Sequence, residues 1–372
     1  MEQNSMPPER MENPVSNNSP QPPFVPPQYA PGSYMVPVMQ PSPEEQARRE
    51  QAGYVSRVRR RTNTVTAFVF VYIVIMTMAV MISSIASAVY TLIKNPYLLH
   101  LGADAIADVF IQSMTSDGIG YLLSLPAIFL MVFLWKKKAF FKNVLFSSRR
   151  KMTPGTLLFL IALLFAAQAA GDLLSRGLEW LLHFFGASAI SAIQQMQGTS
   201  SVTMLIYICI GAPFIEEILL RGAVMRSFQN FGRRFAVVGA AVLFSLIHAN
   251  LAQIPFAFFA GLILGYAAME YSIWWSILLH FFNNAIIAEG MTWALGKLPE
   301  STAALVSNAV IYGIAAVAVV LCIVFRKRIL PCFRSEKTRK GAYKGYFTSP
   351  VLIVMIAYAA VNSVAVILMS VF

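Results

Sequence analysis

Long apolar runs alternate with short polar or basic segments along most of the chain. About 20 residues are needed to cross roughly 30 Å of hydrocarbon, and nine runs are candidates for such a crossing. The fifth and sixth runs are short, so we expect them to be interior helices shielded by their neighbours. The pattern predicts an all-α polytopic membrane protein, a bundle of about 8–9 transmembrane helices with a disordered N-terminal tail. The nine runs are 64–92, 119–135, 156–184, 202–224, 235–248, 254–268, 273–293, 304–325 and 351–372.

Composition and charge agree with a membrane environment. The chain is 57% hydrophobic and 12% charged, whereas soluble domains average about 25% charged residues. Its net charge of +12 does not indicate a nucleic-acid partner, because the cations gather in short segments that flank the apolar runs. The lipid bilayer is the expected surrounding, and the oligomeric state is left open. The three cysteines, Cys209, Cys322 and Cys332, form no CxxC or Cys/His cluster and predict neither a disulfide framework nor a metal site.

The cations are concentrated in alternate connections between the apolar runs. Cytoplasmic loops of membrane proteins carry an excess of Lys and Arg, so this alternation predicts a cytoplasmic N-terminus and, most simply, a plasma-membrane location. The opposite loops hold mainly Lys94, Asp104, Asp108, Asp117, Lys297 and Glu300. The basic connections contain Arg57, Arg59, Arg60 and Arg61, then Lys136, Lys137, Lys138, Lys142, Arg149, Arg150 and Lys151, then Arg226, Arg233 and Arg234, and lastly the basic residues of 326–344.

Four regions follow from this pattern. Residues 1–62 are predicted as a disordered, Pro-rich cytoplasmic tail, because this composition favours an extended, solvated chain. Residues 63–155 are predicted to hold two transmembrane helices, with an amphipathic helix in 95–118 between them. Residues 156–325 form the predicted helical core. Residues 326–372 add a basic loop and an extra C-terminal transmembrane helix.

Ionisable residues within the fourth apolar run are the first candidates for chemistry. Charged groups inside a bilayer are costly and mark functional sites by default. Glu217 and Arg221 are four residues apart and on one helical face, so they are expected to form an ion pair. Glu216 points about 100° away from that pair and needs a partner from another helix or from water. Pro213, one turn earlier, is expected to kink the helix beside Glu216.

Two later apolar runs add one histidine each. His248 follows Phe244 by one helical turn, and His280 precedes Asn284 by one turn. A carboxylate, two imidazoles and a carboxamide supply a base for water and donors for the oxyanion of amide hydrolysis. We expect no serine or cysteine nucleophile beside these histidines, so water is the favoured attacking group.

Three motifs together resemble those of a known family. Glu216-Glu217-Ile-Leu-Leu-Arg221, Phe244-Ser-Leu-Ile-His248 and His280-Phe-Phe-Asn-Asn284 resemble EExxxR, FxxxH and HxxxN of the CAAX-protease and bacteriocin-processing family. Members of this family, also called Abi or type II CAAX endopeptidases, are intramembrane glutamate proteases, and the resemblance spans about residues 156–325. It implies that Glu216 and His248 activate water and that His280 and Asn284 stabilise the oxyanion. Glu217, Arg221 and Phe244 would be structural, and the substrate would be a peptide or membrane protein.

A metal-dependent version of this site is the main alternative to metal-free catalysis. Glu216, His248 and His280 make a two-His, one-carboxylate set of the kind that holds catalytic zinc. The chain lacks HExxH, and using Glu216 as a ligand would remove the best base. We therefore favour a mechanism that requires no cofactor.

Two other functions also use buried polar residues in membranes. A proton-coupled transporter would employ Glu and His as proton relays, but the expected inverted repeats are not visible in the sequence. A non-catalytic immunity or binding protein would use the polar cavity to hold a peptide. Gly261 and Gly265 form a GxxxG motif, which predicts a helix packing face within the bundle.

Overall fold

The computed structural model describes residues 41–145, 147–184, 186, 188, 201–327 and 338–368. This part of the chain is helical without β-strands. We number the helices α1 to α11, and a 3₁₀ turn, Pro96–Leu101, precedes α2. The helices are α1 Pro43–Lys94, α2 Ala103–Ser116, α3 Ile119–Phe140, α4 Pro154–His183, α5 Val202–Phe231, α6 Arg233–Ile247, α7 Ile254–Glu270, α8 residues 273–295, α9 Glu300–Val324, α10 Ala342–Phe347 and α11 Pro350–Leu368.

Each of the nine predicted runs lies in one of these helices as far as the chain is described. Six helices in the described residues are long and apolar enough to cross a membrane: α1, α3, α4, α5, α9 and α11. Helix α7 is apolar but shorter, and α6 has 15 residues. The multi-pass membrane class and the all-α fold are therefore confirmed, while the number of crossings stays a prediction. The amphipathic segment predicted at 95–118 contains α2.

The N-terminal boundary differs from the prediction. Helix α1 begins at Pro43, so residues 43–62, which we assigned to a disordered tail, are helical. The start has local causes: Pro43 fits the first turn, and the Ser42 hydroxyl accepts a hydrogen bond from the backbone N–H of Glu45 at 3.2 Å. The Pro-rich residues before 41 lie outside the described part of the chain.

Helix α5 occupies the centre of the core and departs from regular α geometry. Residues Tyr207–Gly211 and Glu217–Val224 adopt π-helical turns, on either side of the short α-helical stretch with Pro213 and Glu216. Proline cannot donate a backbone hydrogen bond, and π-turns are a common way to absorb that loss. The whole second π segment is buried, so Glu217 and Arg221 lie in the interior of the described bundle.

Contacts at the two ends of the bundle support the predicted alternation of the loops. At one end, the Arg149 amide donates to the Tyr271 carbonyl at 3.0 Å, and Glu270 pairs with Arg233 and Arg150. At the other end, the Thr203 hydroxyl donates to Asp117 at 2.9 Å. Two basic connections, 136–151 and 226–234, therefore meet at the same end. Which end faces the cytoplasm stays a prediction.

The GxxxG face packs inside the bundle, as predicted. An added Cβ on Gly261 would lie 3.1 Å from atoms of Ala241 and Phe244, both on α6. An added Cβ on Gly265 would lie 3.0 Å from Val237, also on α6. Glycine at these two positions lets α7 approach α6 closely, and this approach sets the position of Phe244.

Candidate active site

Glu217 is the centre of a buried polar cluster. Its Oε1 pairs with Arg221 at 2.9 Å and accepts from Nδ1 of His280 at 2.9 Å. Its Oε2 accepts from the Ser276 hydroxyl at 2.5 Å. Glu217 is 0% exposed and Arg221 1% exposed. A buried charge is tolerated when it is paired and hydrogen-bonded, so the predicted ion pair within α5 is present and extends to α8.

The ring of Phe244 brings three of the predicted residues together. Its centroid is 5.0 Å from that of His248 and 5.6 Å from that of His280, both in edge-to-face geometry. The Arg221 guanidinium carbon lies 4.2 Å from the same ring centroid. His248 also interacts electrostatically with Glu216. Helices α5, α6 and α8 thus converge on one site, as the motifs predicted.

His248 is held by the end of its own helix. Helix α6 ends at Ile247, and Ala249 adopts a left-handed φ of 46°, which stops the helix next to the imidazole. Nδ1 of His248 lies 2.8 Å from the Phe244 carbonyl oxygen. Because a carbonyl can only accept, Nδ1 carries the proton and Nε2 of the neutral ring holds a lone pair. Nε2 is therefore able to act as a base.

Glu216 lies beside the cluster and has a partner from another helix. It is 8% exposed, and its Oε1 accepts from the Tyr72 hydroxyl on α1 at 3.5 Å. The expectation that Glu216 needs a partner outside α5 is thus met by Tyr72. Sequence reasoning missed Tyr72, because one tyrosine within a long apolar run carries no distinguishing signal.

Asn284 joins α8 to α5. Its amide nitrogen donates to the Ile208 carbonyl at 2.9 Å, and its oxygen accepts from the amide nitrogen of Asn283 at 3.0 Å. A carboxamide nitrogen has two N–H groups, so one remains for another acceptor. The role of Asn284 as an oxyanion donor stays a prediction. The neighbouring residue Asn283 is also buried, and the HxxxN motif did not single it out.

Ser276 corrects one expectation from the sequence. It stands four residues before His280 in α8, so a serine does share a helical face with one of the histidines. Its hydroxyl lies within hydrogen-bond distance of Glu217 Oε2 and of the Leu264 carbonyl. Both of these groups are acceptors, so Ser276 acts here as a donor that supports Glu217.

The zinc alternative requires Glu216, His248 and His280 as a ligand set. Across residues 41–327 and 338–368, leaving aside the undescribed gaps, no group of three or more His, Cys, Asp or Glu side chains could hold a metal ion. His280 directs Nδ1 to Glu217 and His248 directs Nδ1 to a carbonyl. Each ring therefore keeps Nε2 free, and histidines that bind metals commonly make an Nδ1 hydrogen bond of this kind, so the zinc alternative stays a prediction.

Fold and site together define the class of protein: a multi-pass helical membrane protein with a buried glutamate–histidine site. A family model described as type II CAAX prenyl endopeptidase Rce1-like matches residues 198–286. All three motifs, from Glu216 to Asn284, lie within that segment. The match supports the CAAX-protease and bacteriocin-processing family and so confirms the resemblance, and the family implies intramembrane CAAX protease activity. Comparison with curated proteins and with solved structures gave no significant match.

Proposed function

We propose that this protein is an intramembrane endopeptidase that hydrolyses a peptide bond of a membrane-associated or C-terminal peptide. The observation that carries the proposal is the convergence of His248 and His280 on the Phe244 ring, with Glu216 close enough to His248 to interact electrostatically, all within the matched segment. The family model is named for CAAX prenyl substrates, so C-terminal peptides with a prenylated cysteine are the first class to test. We place the protein in the plasma membrane with its N-terminus in the cytoplasm.

In the proposed reaction, Glu216 and Nε2 of His248 take a proton from water as its oxygen adds to the carbonyl carbon. The C–N bond then breaks, and the proton passes to the leaving amine. His280 keeps its Nδ1 proton and donates it to Glu217 in a hydrogen bond, so a second proton on Nε2 makes an imidazolium that donates to the oxyanion. The spare N–H of Asn284 is the second proposed donor. No cofactor is required in this scheme.

The test uses the full-length protein in liposomes with quenched fluorescent peptides that end in a cysteine motif, prenylated or not. Glu216→Gln and His248→Ala are expected to lose about 10²- to 10⁴-fold in kcat, the usual contribution of a general base. Glu300→Gln is the matched control, because Glu300 is exposed at the start of α9. Full activity of either site variant, or no cleavage of any peptide by the wild type, would overturn the proposal.

The same preparation separates the rival functions. A transporter would lose proton flux in Glu216→Gln without peptide cleavage in the wild type. A binding protein would retain a peptide and cleave nothing. Chelation is a further arm: loss of activity with a chelator and its recovery with added zinc would favour the metal-dependent mechanism over the cofactor-free one.

A further inference from the structure

The phenol of Tyr72 is deeply buried on an apolar helix. Tyr72 is 1% exposed and lies on the inner face of α1 with Val65 and Val69, at spacings of four and three residues. Residues Val71 and Val74 of the same helix face outward. A buried tyrosine hydroxyl needs a hydrogen-bond partner, so we expect the Tyr72 hydroxyl to contact a polar group inside the bundle.

The partner that meets this need is the carboxylate of Glu216. The Tyr72 hydroxyl donates to its Oε1 at 3.5 Å. The Tyr207 side chain interacts electrostatically with Tyr72, its hydroxyl donates to Met76 Sδ on α1 at 3.4 Å, and its ring stacks on Tyr121 with centroids 4.6 Å apart. Tyr207 belongs to α5 and Tyr121 to α3, so two further helices fix the phenol that faces Glu216.

We propose that Tyr72 is a positioning residue that orients the Glu216 carboxylate for its work as a base. The inference rests on the proposed function. It extends the site beyond the segment matched by the family model, residues 198–286, because α1 lies outside that segment. Glu217 is held by Arg221, His280 and Ser276, whereas Tyr72 supplies the hydrogen bond identified for Glu216. Without it the carboxylate can rotate away from the water that it must deprotonate.

The main test is Tyr72→Phe, measured with the liposome assay. Loss of a hydrogen bond to a charged group costs about one factor of ten or more, so kcat is expected to fall about tenfold while KM stays within about twofold. Tyr90→Phe removes a hydroxyl from the exposed face of the same helix and is expected to leave kcat unchanged. A purely structural Tyr72 would lower stability and leave kcat of the folded protein unaltered, and this result would overturn the inference.

A second variant tests whether Tyr72 acts through Glu216. Glu216→Asp shortens the side chain by one methylene and withdraws the carboxylate from the phenol. In that background, adding Tyr72→Phe is expected to change kcat by less than about twofold. An undiminished tenfold loss would mean that Tyr72 acts independently of Glu216 and would contradict the proposal.

A spectroscopic readout needs no substrate. With 3-fluorotyrosine incorporated at position 72, the ¹⁹F resonance is expected to move in Glu216→Gln and to stay in place in Glu300→Gln. If the resonance does not move in Glu216→Gln, the contact between Tyr72 and Glu216 is contradicted, and the inference fails with it. If Glu216→Gln cleaves normally, the proposed function fails; if it is inactive while Tyr72→Phe is normal, only the role of Tyr72 fails.

Discussion

At the scale of single residues, the two adjacent glutamates occupy different environments. The carboxylate oxygens of Glu217 lie 2.5–2.9 Å from side-chain atoms of Arg221, His280 and Ser276. Glu216 has a longer hydrogen bond, from the Tyr72 hydroxyl. A carboxylate with several short, charged partners is fixed in place and poorly suited to take a proton. Glu216 has a hydrogen bond from a neutral hydroxyl, so lone pairs of its carboxylate remain for a water, which supports Glu216 as the residue that activates water and Glu217 as its structural neighbour.

The first prediction separates these two roles by stability. Glu217→Gln leaves the Arg221 cation buried without its counter-ion, and breaking a buried pair costs about 3–5 kcal/mol. The free energy of unfolding, measured in mixed micelles with increasing dodecyl sulfate, is expected to fall by about that amount. Glu216→Gln is expected to stay within about 1 kcal/mol of the wild type, since the glutamine oxygen can still accept from the Tyr72 hydroxyl and the pair of Glu217 with Arg221 is left intact.

A double variant is the control for this experiment. Glu217→Met combined with Arg221→Met removes both charges, and apolar replacement of a whole buried pair is often neutral. Its unfolding free energy is therefore expected to exceed that of Glu217→Gln alone. Equal loss of stability in Glu216→Gln and Glu217→Gln would refute the assignment of different roles.

At the scale of helices, the site depends on how closely α7 packs on α6. The Gly261 contact with Ala241 and Phe244 places the Phe244 ring between the two imidazoles. Helix α6 then ends after Ile247, and the Ser363 hydroxyl on α11 lies 3.3 Å from the Ala249 carbonyl oxygen. The position of His248 therefore depends on the packing of α6, α7 and α11, although the FxxxH motif lies at the end of α6 alone.

The second prediction follows from that packing. Gly261→Leu places a side chain where an added Cβ is already 3.1 Å from α6, and overpacking costs about 1–3 kcal/mol. Because the displaced neighbour is Phe244, cleavage activity is expected to fall as well. Gly313→Leu is the control: its Cβ meets no atom within 4 Å, so stability and activity are expected to stay normal. Normal cleavage by Gly261→Leu would contradict this account.

Sequence reasoning predicted those parts of the fold and site that depend on local spacing. The Glu217 and Arg221 pair follows from a separation of four residues, and the packing of Gly261 follows from the GxxxG motif. The start of α1 at Pro43 and the alignment of Ser276 with His280 had local signals that were overlooked. The contact between Tyr72 and Glu216 joins residues 144 positions apart, so only the three-dimensional arrangement of the helices reveals it.

At the scale of the whole molecule, the C-terminal segment is anchored to the rest of the bundle. The Tyr346 hydroxyl on α10 donates to the Gly239 carbonyl of α6 at 2.7 Å. Just before α11, the Ser349 hydroxyl donates to Asn63 of α1 at 2.5 Å. An added Cβ on Gly345 would lie 2.6 Å from the Val55 carbonyl oxygen. The extra C-terminal helix is therefore an integral part of the described fold.

The third prediction tests this anchoring. Gly345→Leu forces α10 away from the backbone of α1, since a side chain cannot occupy that gap, and it is expected to lower the unfolding free energy by about 3 kcal/mol. Gly155→Leu is the matched control, because an added Cβ at Gly155 meets nothing within 4 Å. Equal stability of the two variants would mean that the C-terminal segment contributes little to folding.

The last prediction concerns which end of the bundle faces the cytoplasm. The basic connections meet at one end, where Arg149, Arg233 and Glu270 lie close together, and positive loops remain on the cytoplasmic side. Lys142 is exposed after α3 at that end, and Lys297 is exposed between α8 and α9 at the other. Single cysteines at these two positions, in a protein whose native cysteines are replaced by serine, report the orientation.

With an impermeant maleimide on intact cells, Lys297→Cys is expected to be labelled at once. Lys142→Cys is expected to react only after the cells are permeabilised. The reverse pattern would place the basic end outside and overturn the cytoplasmic N-terminus. Labelling of both sites in intact cells would instead contradict an odd number of crossings between them.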